Sequence, residues 1–503
     1  MKPIFFLSIS FAAALQGQTV LVKPYVQPGD GSTLGAVDVK VLTWVTDAKP
    51  GKFTVEYAPK GQAMKTVVPV ATPLDFAVPT RRPGPARPEK TPDPATTVDE
   101  LKTKVVESFP PIKEREQHYI RYRAVLPDLP MDSTVDWRVR QDATVVRQET
   151  VKTRASATKP VHFIAVGDMA SNKPEEFAVA YQMGLAKPDF VVALGDIVYP
   201  GGRAIQYMNH FFPCYNDVAI AGPKTGSPLM ATVPVYPVVG NHDADMQRFP
   251  DYPDAYSCFY WFSVPKNGPG MGPWNVPLGK NEELGAAFKT APGAEFPAMS
   301  NYSFDYGAGH FLMLDANGYA MKANDAIFPW IEKDLTDSKQ KWKFVCFHQP
   351  AFHTSKEHYT EQKMRMLQPL FERAGVDVVF AGHVHNYQRS MPLKFTPGPG
   401  GRDKRGRVDG ALTLDKTFDG ETDTTPEGVI HIVSGGGGAS LYSVDLAKTV
   451  AFLEKEHPGN FQPLTAKYVA AHSFTSVELT PTTLVLRQIT SAGKEVDRIK
   501  ITK

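Results

Sequence analysis

Residues Phe190–Tyr199 read FVVALGDIVY, an apolar run that stops at a glycine and an aspartate. An unbroken apolar run suits a strand covered on both faces, and the Gly-Asp pair suits the turn just beyond its carboxyl end. In open α/β sheets that is where ligands bind. The same arrangement recurs along the chain. Upstream, Val161–Val166 (VHFIAV) runs into Gly167-Asp168. Downstream, Val235–Val239 (VYPVV) precedes Gly240-Asn241-His242-Asp243, Phe344–Phe347 (FVCF) precedes His348, and Val376–Ala381 (VDVVFA) precedes Gly382-His383-Val384-His385. Phe311–Leu314 and Val429–Val433 are further apolar runs, and Pro174–Leu185 has a helix-like pattern. Carboxylates, imidazoles, an amide oxygen and a phenol brought by separate loops to one sheet edge are what a site for several hard to intermediate cations needs.

Outward from this block, Thr19 to about Arg154 shows short alternating β-branched and aromatic segments, such as Lys40–Trp44, Lys52–Tyr57, His118–Val125 and Thr134–Val139. Strands at that spacing predict an antiparallel sandwich. Roughly Pro69–Lys113 is rich in proline and reads as an exposed insertion. Tyr199–Pro234 and Asp243–Tyr302 lack periodicity and read as loops around a site mouth. Ser473–Leu479 and Thr483–Ile489 read as closing strands.

The chain has 503 residues, more than one ordinary core holds, with 42% hydrophobic and 21% charged residues, so at least two globular domains are expected. A net charge of +2 from 55 basic and 53 acidic residues indicates no nucleic-acid partner and no anionic membrane. Met1-Lys2 followed by the apolar Pro3–Leu15 has the form of a secretory signal over residues 1–18. That run is shorter than the roughly 20 residues that span a bilayer, so the expected location is secreted or periplasmic, without a membrane anchor after signal removal. With only Cys214, Cys258 and Cys346, a disulfide scaffold is excluded. Cys214–Cys258 is the expected bridge, and Cys346, inside an apolar run, reads as a buried thiol.

The motifs GDMA (from Gly167), GDIVY (from Gly195), GNHD (from Gly240), FH (Phe347-His348) and GHVH (from Gly382) occur in the order found in purple acid phosphatases, and the sequence resembles that family within the calcineurin-like metallophosphoesterases. The resemblance implies an α/β fold: a four-layer α/β/β/α metallophosphoesterase domain over 158–503, preceded over 19–157 by an all-β fibronectin-III-like sandwich with a Pro-rich insertion near 69–113. It further implies that Asp168, Tyr199 and His385 bind Fe(III), that Asn241, His348 and His383 bind a divalent metal (Zn, Mn or Fe), and that Asp196 bridges the two. His242 and His358 match the family's outer-sphere histidines, which assist the leaving group. Ala170 departs from the family, which usually has glycine there. The implied activity is hydrolysis of a small phosphate monoester by hydroxide generated at the metal pair. A phosphodiesterase or nucleotidase of the same superfamily, and an exported binding protein with an inactive phosphatase domain, are the alternatives.

Taken singly, several of these residues have plainer uses. Asp168 and Asp196 suit helix N-caps, Tyr199 a packed aromatic and His348 a core histidine. His353 reads as a loop histidine near the site, His162, His310 and His431 as structural, and Arg389 as orienting the last motif's loop. Gly435–Gly438 offers amides to a phosphate but reads better as a tight connection. Arg402–Arg407 reads as a solvated basic loop.

Overall fold

The computed structural model describes residues 18–49, 51–79, 114–244, 254, 256–269, 299–317 and 327–503. The secretory segment, apart from Gln18, and most of the Pro-rich stretch lie outside the described residues. Among those described, no helix is long and apolar enough to cross a membrane.

The N-terminal part holds strands β1 (Val20–Gln27), β2 (Val37–Asp47), β3 (Phe53–Pro59), β4 (Lys65–Val67), β5 (Val70–Pro79), β6 (Glu114–Pro130), β7 (Thr134–Gln141) and β8 (Thr144–Lys152). They form two antiparallel sheets, ordered β1-β2-β6-β5 and β4-β3-β7-β8. Alternation puts Trp44, Val55, Tyr122, Trp137 and Val139 into a shared core, where Trp44 stacks on Tyr122 with centroids 5.2 Å apart. This is the expected sandwich. One correction concerns the Pro-rich stretch: residues 70–79 form the edge strand β5, paired along its length with β6. Pro73 is tolerated there because an edge strand need not donate on both sides.

Two larger sheets follow. The first, ordered β11-β10-β9-β21-β22-β23, contains β9 (Val161–Val166), β10 (Phe190–Ala193), β11 (Val235–Pro237), β21 (Ser473–Leu479), β22 (Thr483–Thr490) and β23 (Glu495–Thr502). The second, ordered β12-β13-β14-β15-β19-β16-β20, contains β12 (Tyr302–Tyr306), β13 (Gly309–Leu314), β14 (Trp342–Phe347), β15 (Val378–Ala381), β16 (Tyr387–Ser390), β19 (Ile430–Ser434) and β20 (Thr465–Val469). A hairpin, β17 (Leu393–Arg402) and β18 (Val408–Leu414), stands apart.

Successive residues of β13 and β14 serve opposite faces. Phe311, Met313, Phe344 and Cys346 join the core between the sheets, while Leu312, Leu314, Val345 and Phe347 join a second core with Ile331 and Leu335 of α2 (Ile327–Asp337) and Leu370 and Phe371 of α3 (Gln368–Ala374). Continuous apolar runs therefore mark strands with no wet face. On the first sheet, α1 (Pro174–Ala186) buries Val179, Ala180 and Met183. Pro174 begins it, and the Glu176 carboxylate reaches back to the amide of the capping residue Lys173 at 3.3 Å and to that of Ser171, just before the helix, at 2.6 Å. The layers are α/β/β/α, as expected. Within the first sheet β9, β10 and β11 are parallel, and within the second β13, β14, β15 and β19 are.

The sandwich and the layered domain share a core. Tyr25 and Val45 pack in one cluster with Phe212 and Trp261, and Tyr25 Oη and Gln27 Nε2 both donate to the Trp261 carbonyl, at 2.9 and 3.0 Å. Arg154 Nε donates to Asp38 Oδ1 at 2.8 Å, Lys40 pairs with the same carboxylate, and Arg154 Nη1 reaches the Asp305 carbonyl at 3.3 Å.

Two further expectations are corrected. Residues 199–234 contain helical turns at Ala204–Gln206, Tyr207–Phe211 and Phe212–Tyr215, held by an aromatic cluster with Trp261 and Phe262 and by a buried Arg203–Asp254 ion pair at 2.7 Å. Of residues 243–302, 245–253, 255 and 270–298 lie outside the described residues. Cys214 and Cys258 are free thiols rather than a bridge. Each is buried in its own short helical turn, Cys214 against Gly226 and Cys258 near the Tyr256 carbonyl, while Cys346 is buried as expected.

Candidate metal centre

The carboxyl ends of both parallel strand sets open onto one cleft. From the first sheet, β9 leads to Asp168, β10 to Asp196 and Tyr199, and β11 to Asn241; from the second, β14 leads to His348 and β15 to His383, with His385 just ahead of β16. One sheet thus supplies the oxygen donors and the other the imidazoles. Asp168, Asp196 and His383 have left-handed backbones, with φ of 60°, 48° and 68°, which turns each chain back over its sheet edge. Neither aspartate caps a helix. Gly195, at φ 82°, lies so close to His348 that an added Cβ would fall 2.7 Å from the ring Nδ1.

The loops are tied to one another by their backbones. Asp168 N, Met169 N and Ala170 N donate to the carbonyls of Gly195, Asp196 and Ile197, and Tyr199 N returns to Ala170 O. Ala170 accomplishes this without a left-handed φ, so alanine fits where the family usually has glycine. The carboxylates are fixed by amides: His383 N donates to Asp168 Oδ2 and His242 N to Asp196 Oδ1, both at 2.7 Å.

The seven expected ligands lie in one cluster. Tyr199 Oη is 3.0 Å from Asp168 Oδ1 and 3.1 Å from both Asp196 Oδ2 and His385 Nε2. His348 Nε2 is 3.1 Å from Asn241 Oδ1 and 3.2 Å from Asp196 Oδ1 and His383 Nδ1. Backbone carbonyls orient two of the rings, with His348 Nδ1 on Leu194 O at 2.8 Å and His385 Nδ1 on Ser440 O at 2.7 Å, so their Nε2 atoms face the cluster. One phenol proton therefore meets three acceptors.

The electrostatics agree. Burial and the two carboxylates push the Tyr199 phenol well above its ordinary range. Burial opposes charge on His348, yet Asp196 and Asp168 raise it to about 10; burial would raise Asp196, but His348 holds it below the usual carboxylate range. Burial, then His348 and His358, lower His383 to about 4, against the pull of Glu361. A crowd of buried lone pairs with too few protons fits a pair of cations.

The two outer histidines flank the cluster. His242 Nε2 lies 3.9 Å from Asp196 Oδ2, its Nδ1 on Pro200 O at 2.8 Å and its ring 4.5 Å from that of Tyr199. His358 lies 3.9 Å, ring to ring, from His383, with Nδ1 2.8 Å from Glu361 Oε1.

Three neighbours had not been singled out. Glu361 touches both His358 and His383. Asp243, within the GNHD motif, accepts the amides of Gly240 and Ile197 at 2.9 Å, and burial followed by Asp196 lifts it to about 7. Tyr442 stacks on His385 with centroids 3.9 Å apart. Gly435–Gly438 does not face the cleft as a phosphate cradle: a Cβ on Gly435 would meet Asp168 Oδ2 at 2.7 Å, and Gly437 N donates to Gly167 O, so the run backs the first ligand loop. His353 is buried and lowered to about 3, by burial and then Arg365. Arg389 does not orient the last motif; it forms a buried pair with Asp497 of β23.

Residues 156–387 match the family model for calcineurin-like phosphoesterases. Among curated proteins the chain is similar to purple acid phosphatase 23 of Arabidopsis thaliana, 25% identical over 296 residues that make up 52% of this chain and 57% of that one. It is also similar to a nucleotide pyrophosphatase/phosphodiesterase of Hordeum vulgare, 27% identical over 289 residues, 55% of this chain and 65% of that one. The chain thus spans less than two thirds of either relative. Its fold is similar to that of purple acid phosphatase PPD1 from yellow lupin (Lupinus luteus) seeds, with a TM-score of 0.61 at 18% identity, covering 96% of this chain and 74% of that one.

Proposed function

We propose, with residues 156–387 forming a calcineurin-like phosphoesterase domain, that this chain is an exported purple-acid-phosphatase-like enzyme hydrolysing small phosphate monoesters at a two-metal centre. The observation that carries this reading is the convergence, at 3.0 to 3.2 Å, of two carboxylate oxygens and His385 around Tyr199 and of Asn241, Asp196 and His383 around His348. Asp168, Tyr199 and His385 would hold Fe(III), Asn241, His348 and His383 a divalent ion (Zn, Mn or Fe), and Asp196 would touch both. A phenolate is a hard, anionic oxygen ligand of the kind a trivalent cation favours, which supports iron at the Tyr199 side. When bound, such a pair supplies Lewis acidity, lowering the pKa of a water and neutralising phosphoryl charge.

The chain's own side chains supply the proton chemistry. His242 donates its Nδ1 proton to the Pro200 carbonyl and leaves Nε2 beside the cluster, where the imidazolium form would give its second proton to the leaving oxygen. On the opposite flank Glu361 orients His358 for the same class of work. Export follows from the residue 1–18 segment, and no nucleic-acid partner is proposed.

Metal analysis with a visible spectrum tests the centre. About one iron and one divalent ion per chain, the load of a two-metal site, with a charge-transfer band lost in Tyr199→Phe, is expected. Two divalent ions and no band would overturn the iron assignment. A second reading, phosphodiesterase activity, is favoured by the similarity to the Hordeum vulgare protein. Turnover of mono- against bis-nitrophenyl phosphate separates the two, and a strong diester preference would sink the first.

A further inference from the structure

We infer that Tyr442 forms the wall of a leaving-group subsite that favours phosphate esters of aromatic alcohols. The inference rests on the phosphomonoesterase reading and adds a substrate class to it.

The loop after β19 is fastened to His385 twice. Ser440 O takes the His385 Nδ1 proton at 2.7 Å, and Tyr442 N donates to His385 O at 3.0 Å. Behind it Gly435 and Gly437 press on the Asp168 loop too closely for any side chain, so the loop is built as part of the cleft. From this support the Tyr442 ring lies flat on His385, 3.9 Å between centroids at 12°, while its centroid stands 5.9 Å from that of His358. His385 belongs to the Tyr199 side of the cluster and His358 to the His348–His383 side. One aromatic ring therefore stands beside a histidine from each side of the cluster, one of them placed to protonate the leaving oxygen.

Its hydroxyl makes no hydrogen bond among the described residues, whereas its polar neighbours are occupied: Asn386 Nδ2 serves both the Tyr442 carbonyl and Tyr468 Oη, and Tyr468 Oη donates to Ser443 O. Tyr442 itself is only partly buried. A partly open aromatic edge with a free hydroxyl suits a planar leaving group, which stacks or packs edge-on.

The test is calorimetric titration of the metal-loaded protein with phenylphosphonate and methylphosphonate, which carry no scissile ester, alongside metal content and turnover of phenyl phosphate. The unaltered protein is expected to bind phenylphosphonate roughly fivefold to tenfold tighter than methylphosphonate, the size of one aromatic contact. Tyr442→Leu should bring that ratio close to one with both metals retained, and Tyr442→Phe should keep most of it. An unchanged ratio in Tyr442→Leu overturns the subsite. So does loss of metal with both affinities falling together in Tyr442→Leu and Tyr442→Phe, which would make the ring a brace for His385. A parent protein that binds neither phosphonate and leaves phenyl phosphate intact would overturn the phosphatase reading itself.

Discussion

At Gly195 the chain turns out of β10 with φ 82°, and an added Cβ would fall 2.7 Å from His348 Nδ1 and 2.8 Å from the Gly240 amide nitrogen. A side chain is unwelcome there twice, through the left-handed backbone and through the space. Gly195→Ala is expected to cost about 2 kcal/mol or more, the left-handed penalty plus overpacking, and to lower metal content; urea unfolding with metal analysis checks both. His310 offers a test remote from the cleft. Burial alone would lower it, but Asp305 and Asp334, each 2.8 Å from a ring nitrogen, raise it to about 9 from an ordinary 6.5. A raised pKa stabilises the fold fully below the unfolded value and loses that effect as pH climbs through the folded one. The urea midpoint should therefore decline between pH 6.5 and about 9, and His310→Gln should flatten that decline. The residues legible in the sequence were those at ends of apolar strands, because a short strand fixes where the next few side chains emerge. Glu361 and Tyr442 were not legible: they sit in turns without periodicity, and their roles depend on loops brought together from distant sequence.

At the scale of elements, the Phe190–Leu194 run and its parallels marked strands because both faces of each sheet are covered, a pattern that survives in single sequence. The same signal failed at β5, where Pro73 and the prolines beyond it outweighed a strand whose pairing partner begins only at Glu114. It failed again at Ala204–Tyr215, whose helical turns are held by Tyr207, Phe211 and Phe212 meeting aromatics from another loop. The expected Cys214–Cys258 bridge rested on residue count and local composition, and neither specifies the relative direction of two buried side chains. Between elements, Arg389 of β16 grips Asp497 of β23 with two bonds of 2.7 and 3.0 Å, and Tyr387 Oη donates to the same carboxylate at 2.7 Å. This joins the second sheet to the last strand of the first. Arg389→Ala leaves a buried carboxylate without its cation and is expected to cost about 3 kcal/mol, measured by urea unfolding, while Arg389→Lys should recover part of it.

At the scale of the molecule, the sandwich is structurally part of the layered domain. Tyr25 and Gln27 share the Trp261 carbonyl, Arg147 Nη1 bonds Asn216 Oδ1 at 2.8 Å, and Asp38 holds Arg154 at the junction. A chain lacking residues 19–157 would expose Phe212 and Trp261, and is expected to give no cooperative thermal transition, whereas the full chain should show a single one by calorimetry. The division of donors between the sheets has a kinetic consequence. Asp168, Asp196, Tyr199 and Asn241 emerge from one sheet and His348, His383 and His385 from the other, and the parallel pairings within each sheet already require long loops to close. Neither half alone presents oxygens and imidazoles together. At the iron-containing centre proposed above, cation capture would wait until the two halves dock, so the growth of metal-dependent colour after dilution from denaturant is expected to time the final step of refolding, lagging behind the recovery of backbone circular dichroism.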